Sequence, residues 1–274
     1  MPENVKNEAA SSHAGKEKKS GTSGKKRPDD TREMPFLDHL EELRWRILKS
    51  LTAVFVCMIA ALVFSEKLLY LLTLPNNRLA EPSKLIFLKP TGMLLVRMEI
   101  ALVAGLIIAS PIIFTQFWRF VAPGLLQKER HFVKYAIFYS VICFAGGCLF
   151  AYGIMIPSIL PFLYQMGTDT IQATININDY ISFILRLILV AGMIFEMPVI
   201  SFFLARIGIL TPDFMKKYRR YGIVLVFVVS AIITPPDPVS QLLMALPLLF
   251  LYQISIWVSA MGQRKKKESD ASDE

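Results

Sequence analysis

Four long apolar runs, residues 47–64, 94–117, 135–156 and 180–205, alternate with more polar connections, and a fifth apolar stretch covers 222–262. Each of the first four is near the ~20 residues that a helix needs to cross a bilayer. The fifth is too long for one helix. Thr234-Pro235-Pro236-Asp237-Pro238 interrupts it, and such a cluster removes backbone donors and forces non-helical geometry. The pattern therefore predicts six helices, the last two at about 221–233 and 239–260. The fifth, at 221–233, reaches only roughly 20 Å against ~30 Å of hydrocarbon, so it must sit behind neighbours or thin the bilayer locally. Pro247 interrupts the sixth and shortens it in the same sense.

Polar positions inside these runs are few. Glu196 lies within ISFILRLILVAGMIFEMPVISFFLA (181–205), two residues before Pro198. A carboxylate at bilayer depth needs a partner, a proton or a water-filled hollow. Arg186 is no obvious partner, because the intervening helix separates the two by about 15 Å along its axis. The residue alone leaves two roles open: a tie between packed helices, or a hydrated patch that admits polar chain segments. Arg97 and Glu99 read as an outer-end ion pair or as opposing interfacial charges.

Composition agrees with the pattern: 54% of residues are hydrophobic and the mean hydropathy is +0.46. This is an integral membrane protein. Residues 1–33, rich in Lys, Ser, Gly, Glu and Asp, read as a disordered tail without a signal peptide's cleavage site. Residues 34–262 form one membrane domain, and 263–274, containing RKKKESDASDE, read as a second charged tail. Cys57, Cys143 and Cys148 fall inside apolar runs and act as small hydrophobes, with no disulfide framework.

The net charge of +8 reflects topology, not nucleic-acid binding, since the bases cluster beside apolar runs. The chain through Lys49 holds 11 Lys and Arg, the 119–134 connection holds Arg119, Lys128, Arg130 and Lys134, and 206–220 holds Arg206, Lys216, Lys217, Arg219 and Arg220. Residues 157–179 hold none. Positive-inside places both termini in the cytoplasm and requires an even number of spans. One connection disobeys: 65–93 carries Lys67, Arg78, Lys84 and Lys89 against Glu66 and Glu81. With Pro75, Pro82 and Pro90 it predicts a structured, amphipathic cap on the outer surface.

Two cytosolic segments hold acids among bases. In Phe36-Leu37-Asp38-His39-Leu40-Glu41-Glu42-Leu43-Arg44-Trp45-Arg46 the early acids suit a helix dipole and the Arg residues suit topology, with Glu42 and Arg46 spaced for an i,i+4 pair. In TQFWRFVAPGLLQKERH (115–131) the aromatics suit headgroup level and Pro123-Gly124 makes a bend, while Glu129 is the outlier. Glu42 and Glu129, if they face each other, would grip guanidinium groups through paired hydrogen bonds, which points to an Arg-rich cationic ligand.

HLEELRWR at 39–46, FVAPGLLQKER at 120–130, FEMP at 195–198 and TPPDPVSQ at 234–241 occur in that order over nearly the whole chain after the tail. In these the chain resembles the TatC family, the multispanning core subunits of twin-arginine protein translocases. The resemblance implies an all-α membrane protein of six transmembrane helices in a concave bundle, the last two short, with both termini cytoplasmic. It implies a non-enzymatic receptor in a bacterial cytoplasmic membrane. That receptor binds twin-arginine signal peptides, recruits single-span TatA and TatB type subunits, self-associates, and moves folded proteins at the expense of the proton gradient. No cofactor or metal is implied.

By the same resemblance, Glu42 and Arg44 match the N-terminal signal-peptide site, and Phe120, Glu129 and Arg130 match the first cytoplasmic loop. Glu196 matches a buried glutamate facing the concave side, Asp237 the acid of the short outer loop, and Pro75 a proline of the outer cap. Thr234 and Gln241 match polar positions where partner helices dock. The chain departs from the family at Gln253, in LYQIS, where a glutamate is common. A proton-linked role at that position is thereby put in doubt, while hydrogen bonding survives.

Two other classes are weaker. A proton-coupled secondary transporter would use the buried acid and the proline-broken helices, but only Glu196 and Arg186 lie deep and no repeated half is evident. An enzyme lacks assembled chemistry at depth, since His13, His39 and His131 all lie in tail or cytosolic segments. Gly15-Lys16 and Gly24-Lys25 lack the upstream glycine of a nucleotide-binding loop.

Overall fold

The computed structural model describes residues 36–79, 82–122, 130, 132–165, 174–234 and 237–271. Helix α1 spans Phe36–Val63 and turns directly into α2, Ser65–Asn77. A short strand β1, Lys84–Ile86, precedes α3, Gly92–Val121. Helix α4, Phe132–Phe150, passes through a π-helical turn at Ala151–Met155 into α5, Ile156–Gln165. Strand β2, Thr174–Asn176, leads into α6, Ile177–Ile194, then α7, Met197–Arg206. The short α8, Pro212–Lys217, is followed by α9, Arg219–Ile233, and α10, Pro238–Ala271.

The fold is all-α, as the apolar pattern requires, and five helical segments are long and apolar enough to cross a membrane: His39–Val63, Gly92–Val121, Phe132–Tyr164, Ile177–Arg206 and Pro238–Gln263. Helix α9 has 15 residues, roughly 22 Å, and remains short of a full bilayer. Its first turn lies against Tyr252 of α10, whereas the end of α7 meets Gly262. The start of α9 is thus recessed by ten residues of α10, about 15 Å. Shortness, read from a proline cluster, is a real property of this element.

Four boundaries differ from expectation. The first helix begins at Phe36, ahead of 47, so its charged first turns extend the apolar rod. The third span runs on past 156 to Gln165, the π-helical turn absorbing Gly153 before Pro157. The run 180–205 divides at Phe195-Glu196, because Pro198 has no N–H to offer the carbonyl of Ile194. The chain makes a tight turn there, with Glu196 N–H donating to Met193 O at 3.2 Å, and α7 restarts with Pro198 in its first turn. Finally, the expected charged tail at 263–274 is helical through Ala271. After Gly262 no Gly or Pro interrupts it, and Gln, Arg, Lys and Glu are good helix formers.

The helices run alternately between two ends. We call them the tail end, where α1 begins and α10 finishes, and the cap end, which carries α2 and the strands. Strands β1 and β2 pair in parallel, Lys84 opposite Thr174, and join the segments that lead into α3 and α6. Close helix crossings rely on missing side chains, as is common where no hydrophobic force separates helix from lipid. A Cβ on Gly105 of α3 would stand 2.6 Å from Met58 N of α1, and one on Gly147 of α4 would stand 2.8 Å from Ala191 O of α6. The main core gathers Ile100, Ile181, Ile184, Leu187, Met244 and Leu248, all nearly inaccessible. A smaller core of Trp118, Val133, Ala136, Val199 and Phe203 closes the tail end.

Candidate functional site

At the tail end, His39, Glu42 and Arg46 share one face of α1, three and four residues apart. The ring of His39 stacks on Phe120 of α3, centroids 4.4 Å apart and planes 13° from parallel. This contact joins the two segments that the sequence singled out. Oε1 of Glu42 accepts from Arg46 Nε at 3.0 Å and, at close contact, from Arg46 Nη2. The i,i+4 spacing therefore does produce an ion pair. The other oxygen, Oε2, is buried without a hydrogen-bond partner and lies 3.8 Å from His39 Nδ1. The Glu42 side chain is 24% exposed. One oxygen is thus pinned by a cation and the other is unspent.

Arg44 is exposed on another face of α1, and Arg130 is exposed in the turn before α4. Glu129 lies outside the described residues. His39, read from the sequence only as a cytosolic histidine, is the residue that reasoning missed; its spacing of three from Glu42 was the available signal.

Beneath this surface a polar line enters the bundle. The indole N–H of Trp118, a residue 2% exposed, donates to Ser140 Oγ at 3.0 Å, and the Ser140 hydroxyl hydrogen-bonds the carboxyl of Glu196. Trp118 also meets Phe203 edge-on at 4.4 Å. Three elements, α3, α4 and the α6–α7 break, are tied by one serine. Glu196 is 6% exposed, and its Oε1 has no partner. The break at Phe195-Glu196 takes the chain out of regular helix at the point where this side chain is needed.

At the cap end, the other expected residues are more fully engaged. Pro75, inside α2, cannot donate to the carbonyl of Leu71 four residues back. Tyr152 of the π-helical turn supplies the donor, its hydroxyl 2.8 Å from Leu71 O, and Tyr180 of α6 donates to Leu72 O at 3.0 Å. Asn76 adds a bond to Ser83 O at 3.1 Å. Asp237 caps α10, accepting from Ser240 N at 2.6 Å, with Oδ1 unpartnered. Thr234 is buried and donates to Ser230 O, and Gln241 reaches from α10 to Phe227 O of α9 at 3.0 Å. Thr234 thus closes the end of α9 itself, and Gln241 stitches α10 to α9. Gln253 keeps a buried, unpartnered Oε1.

Arg97 and Glu99 do not form the ion pair that was one of their two readings. Neighbours two apart on a helix point to different faces. Glu99 accepts instead from Ser182 Oγ of α6 at 2.6 Å, and Arg97 Nε is buried without a partner.

Comparisons agree with this architecture. The family described as Sec-independent protein translocase protein (TatC) matches residues 38–247. The chain is 40% identical over 237 residues to the Sec-independent protein translocase protein TatC of Desulforapulum autotrophicum, covering 86% of this chain and 87% of that one. It is likewise 40% identical to the protein of that name from Aquifex aeolicus, over 86% of this chain and 98% of the other. A solved structure titled as the twin arginine translocase receptor TatC superposes with a TM-score of 0.74 at 37% identity, over 82% of this chain and 99% of its own.

Proposed function

The chain belongs to the TatC family of Sec-independent protein translocase proteins, multi-pass membrane subunits of the twin-arginine pathway, and from that premise we propose that its tail end is the receptor surface for twin-arginine signal peptides. The observation that carries this reading is the unspent Oε2 of Glu42 beside the His39–Phe120 stack. Arg46 holds Oε1 and so fixes the rotamer of the Glu42 carboxylate, which orients the acceptor that an arriving guanidinium meets. Glu129, nine residues beyond Phe120, supplies the second carboxylate, with Arg44 and Arg130 at the margins. Paired N–H donors in a rigid fork match two such carboxylates; an ammonium does not.

In this reading the tail end faces the cytosol of a bacterial inner membrane, both termini lie there, and α9 makes the sixth crossing. Transport is driven by the proton gradient and involves no catalysis by this chain. Glu196 lies directly below the receptor surface and offers a polar patch where the recessed start of α9 thins the membrane. TatA and TatB type helices dock along α9, whose Val224, Leu225, Val228 and Ile232 are exposed beside the hydrogen bonds of Thr234 and Gln241. Asp237 and Pro75 shape the outer loops.

The test is photocrosslinking from positions 42 and 129 to a twin-arginine precursor in membranes. Combining Glu42→Gln with Glu129→Gln abolishes crosslinking from Phe120, and a Lys-Lys precursor already crosslinks poorly to the parent. Undiminished crosslinking in the double variant would remove the assignment.

A further inference from the structure

The cap carries Lys67, Arg78, Lys84 and Lys89 at the end where the topology pattern expects few bases, and the receptor reading leaves that excess unexplained. Arg78 follows α2, where a cation suits the helix dipole, yet it is exposed and forms no salt bridge among the described residues. It stands at the rim of a depression of about 230 Å³. Pro75 and Leu79 form one wall; Tyr152, Gly153 and Pro157 form the other. The widened π-helical turn builds this second wall, and nothing lies within 4 Å of where a Cβ on Gly153 would stand.

Depth identifies the surroundings. From Lys134 at the tail end to Tyr152 is eighteen residues of helix, about 27 Å, which brings the depression close to the far boundary of ~30 Å of hydrocarbon. Below it, Leu149 is 71% exposed and a Cβ on Gly146 would again meet nothing within 4 Å. Gly153, Leu149 and Gly146, spaced seven residues apart in total, share one exposed apolar helix face that leads from the depression toward the bilayer interior.

We infer that this depression is a binding site for a phospholipid of the cap-side leaflet, with its phosphate on Arg78 and one acyl chain laid past Gly153 and Leu149. Guanidinium and phosphate pair through two parallel N–H···O bonds, and the apolar walls complement a chain but no headgroup. A second copy fits less well. A two-fold contact brings each cap's bases toward their own kind, since Lys67, Arg78, Lys84 and Lys89 outnumber Glu66 and Glu81. The site accounts for the basic cap: its charges answer lipid phosphates, and topology is settled by the more numerous bases at the tail end.

The experiment is native mass spectrometry of the full chain purified in mild detergent and titrated with phosphatidylglycerol, and separately with glycerol phosphate. The parent retains one phosphatidylglycerol and no glycerol phosphate. Arg78→Gln weakens retention about tenfold, the scale of one charge-assisted contact. Gly153→Leu, which fills open space, removes retention while the melting temperature stays at the parent value. Equal retention by the parent and both variants overturns the site. So does disulfide capture of Gly153→Cys by its own copy in membranes above the parent's level, which would seat a second chain there.

Discussion

At the cap end, side chains bond the backbone of neighbouring segments: Tyr152 and Tyr180 donate to successive carbonyls of α2, Asn76 fastens the chain after it, and Gln241 bonds the backbone of α9. At the tail end, Glu42 pairs with a neighbour on its own helix and keeps an oxygen unused, while His39 makes a ring contact that fixes position without consuming the acid. On the proposed function, the difference separates scaffold from binding surface. Long-range hydrogen bonds lock the cap against the bundle, whereas a local ion pair leaves the tail-end carboxylate available to a ligand.

The sharpest way to break this contrast is to remove both tyrosine hydroxyls. Tyr152→Phe combined with Tyr180→Phe removes both hydroxyl bonds that tie α2 to the bundle, a loss of about 1–3 kcal/mol for the pair. Hydrogen exchange over 65–77 quickens and the melting temperature falls, while signal-peptide crosslinking persists. Unchanged exchange would mean the cap is held by something else. Next in size is Glu196→Ala, which leaves peptide crosslinking near the parent level but slows transport about tenfold, the scale of one lost hydrogen bond. Full transport would return Glu196 to a packing role.

Trp118→Phe tests whether the polar line under the tail-end surface belongs with the locked end or the open one. Loss of the indole donor to Ser140 costs about 0.5–1.5 kcal/mol, read as a drop in melting temperature. The smallest stability effect belongs to Glu42→Gln alone, under about 1 kcal/mol, because a partly exposed ion pair within one helix contributes little. A melting shift as large as that of the tyrosine pair would show that Glu42 is structural, and would erase the contrast.

Much of this was legible along the chain. Apolar runs located the helices because a bilayer tolerates nothing else for that length, and the Glu42–Arg46 pair followed from helical spacing alone. The shortness of α9 was written in the prolines that end it. Helix boundaries in polar segments were less legible: at 264–271 the composition of a solvated tail is also that of a good helix.

What no local pattern contains is the set of bonds between distant segments. Tyr152 and Leu71 are 81 residues apart, Tyr180 and Leu72 are 108 apart, and Trp118 of α3 finds Ser140 of α4, 22 residues on. The sequence by itself determined a membrane bundle, its breaks and its acids, because hydrophobicity and helix geometry act over a few turns. Which donor repairs the carbonyl orphaned by Pro75, which hydroxyl meets Glu196, and that Glu99 turns to Ser182 instead of Arg97 were decided only when the helices packed. Side chains remote in the chain compete for the same buried polar groups, and three-dimensional proximity selects the winner.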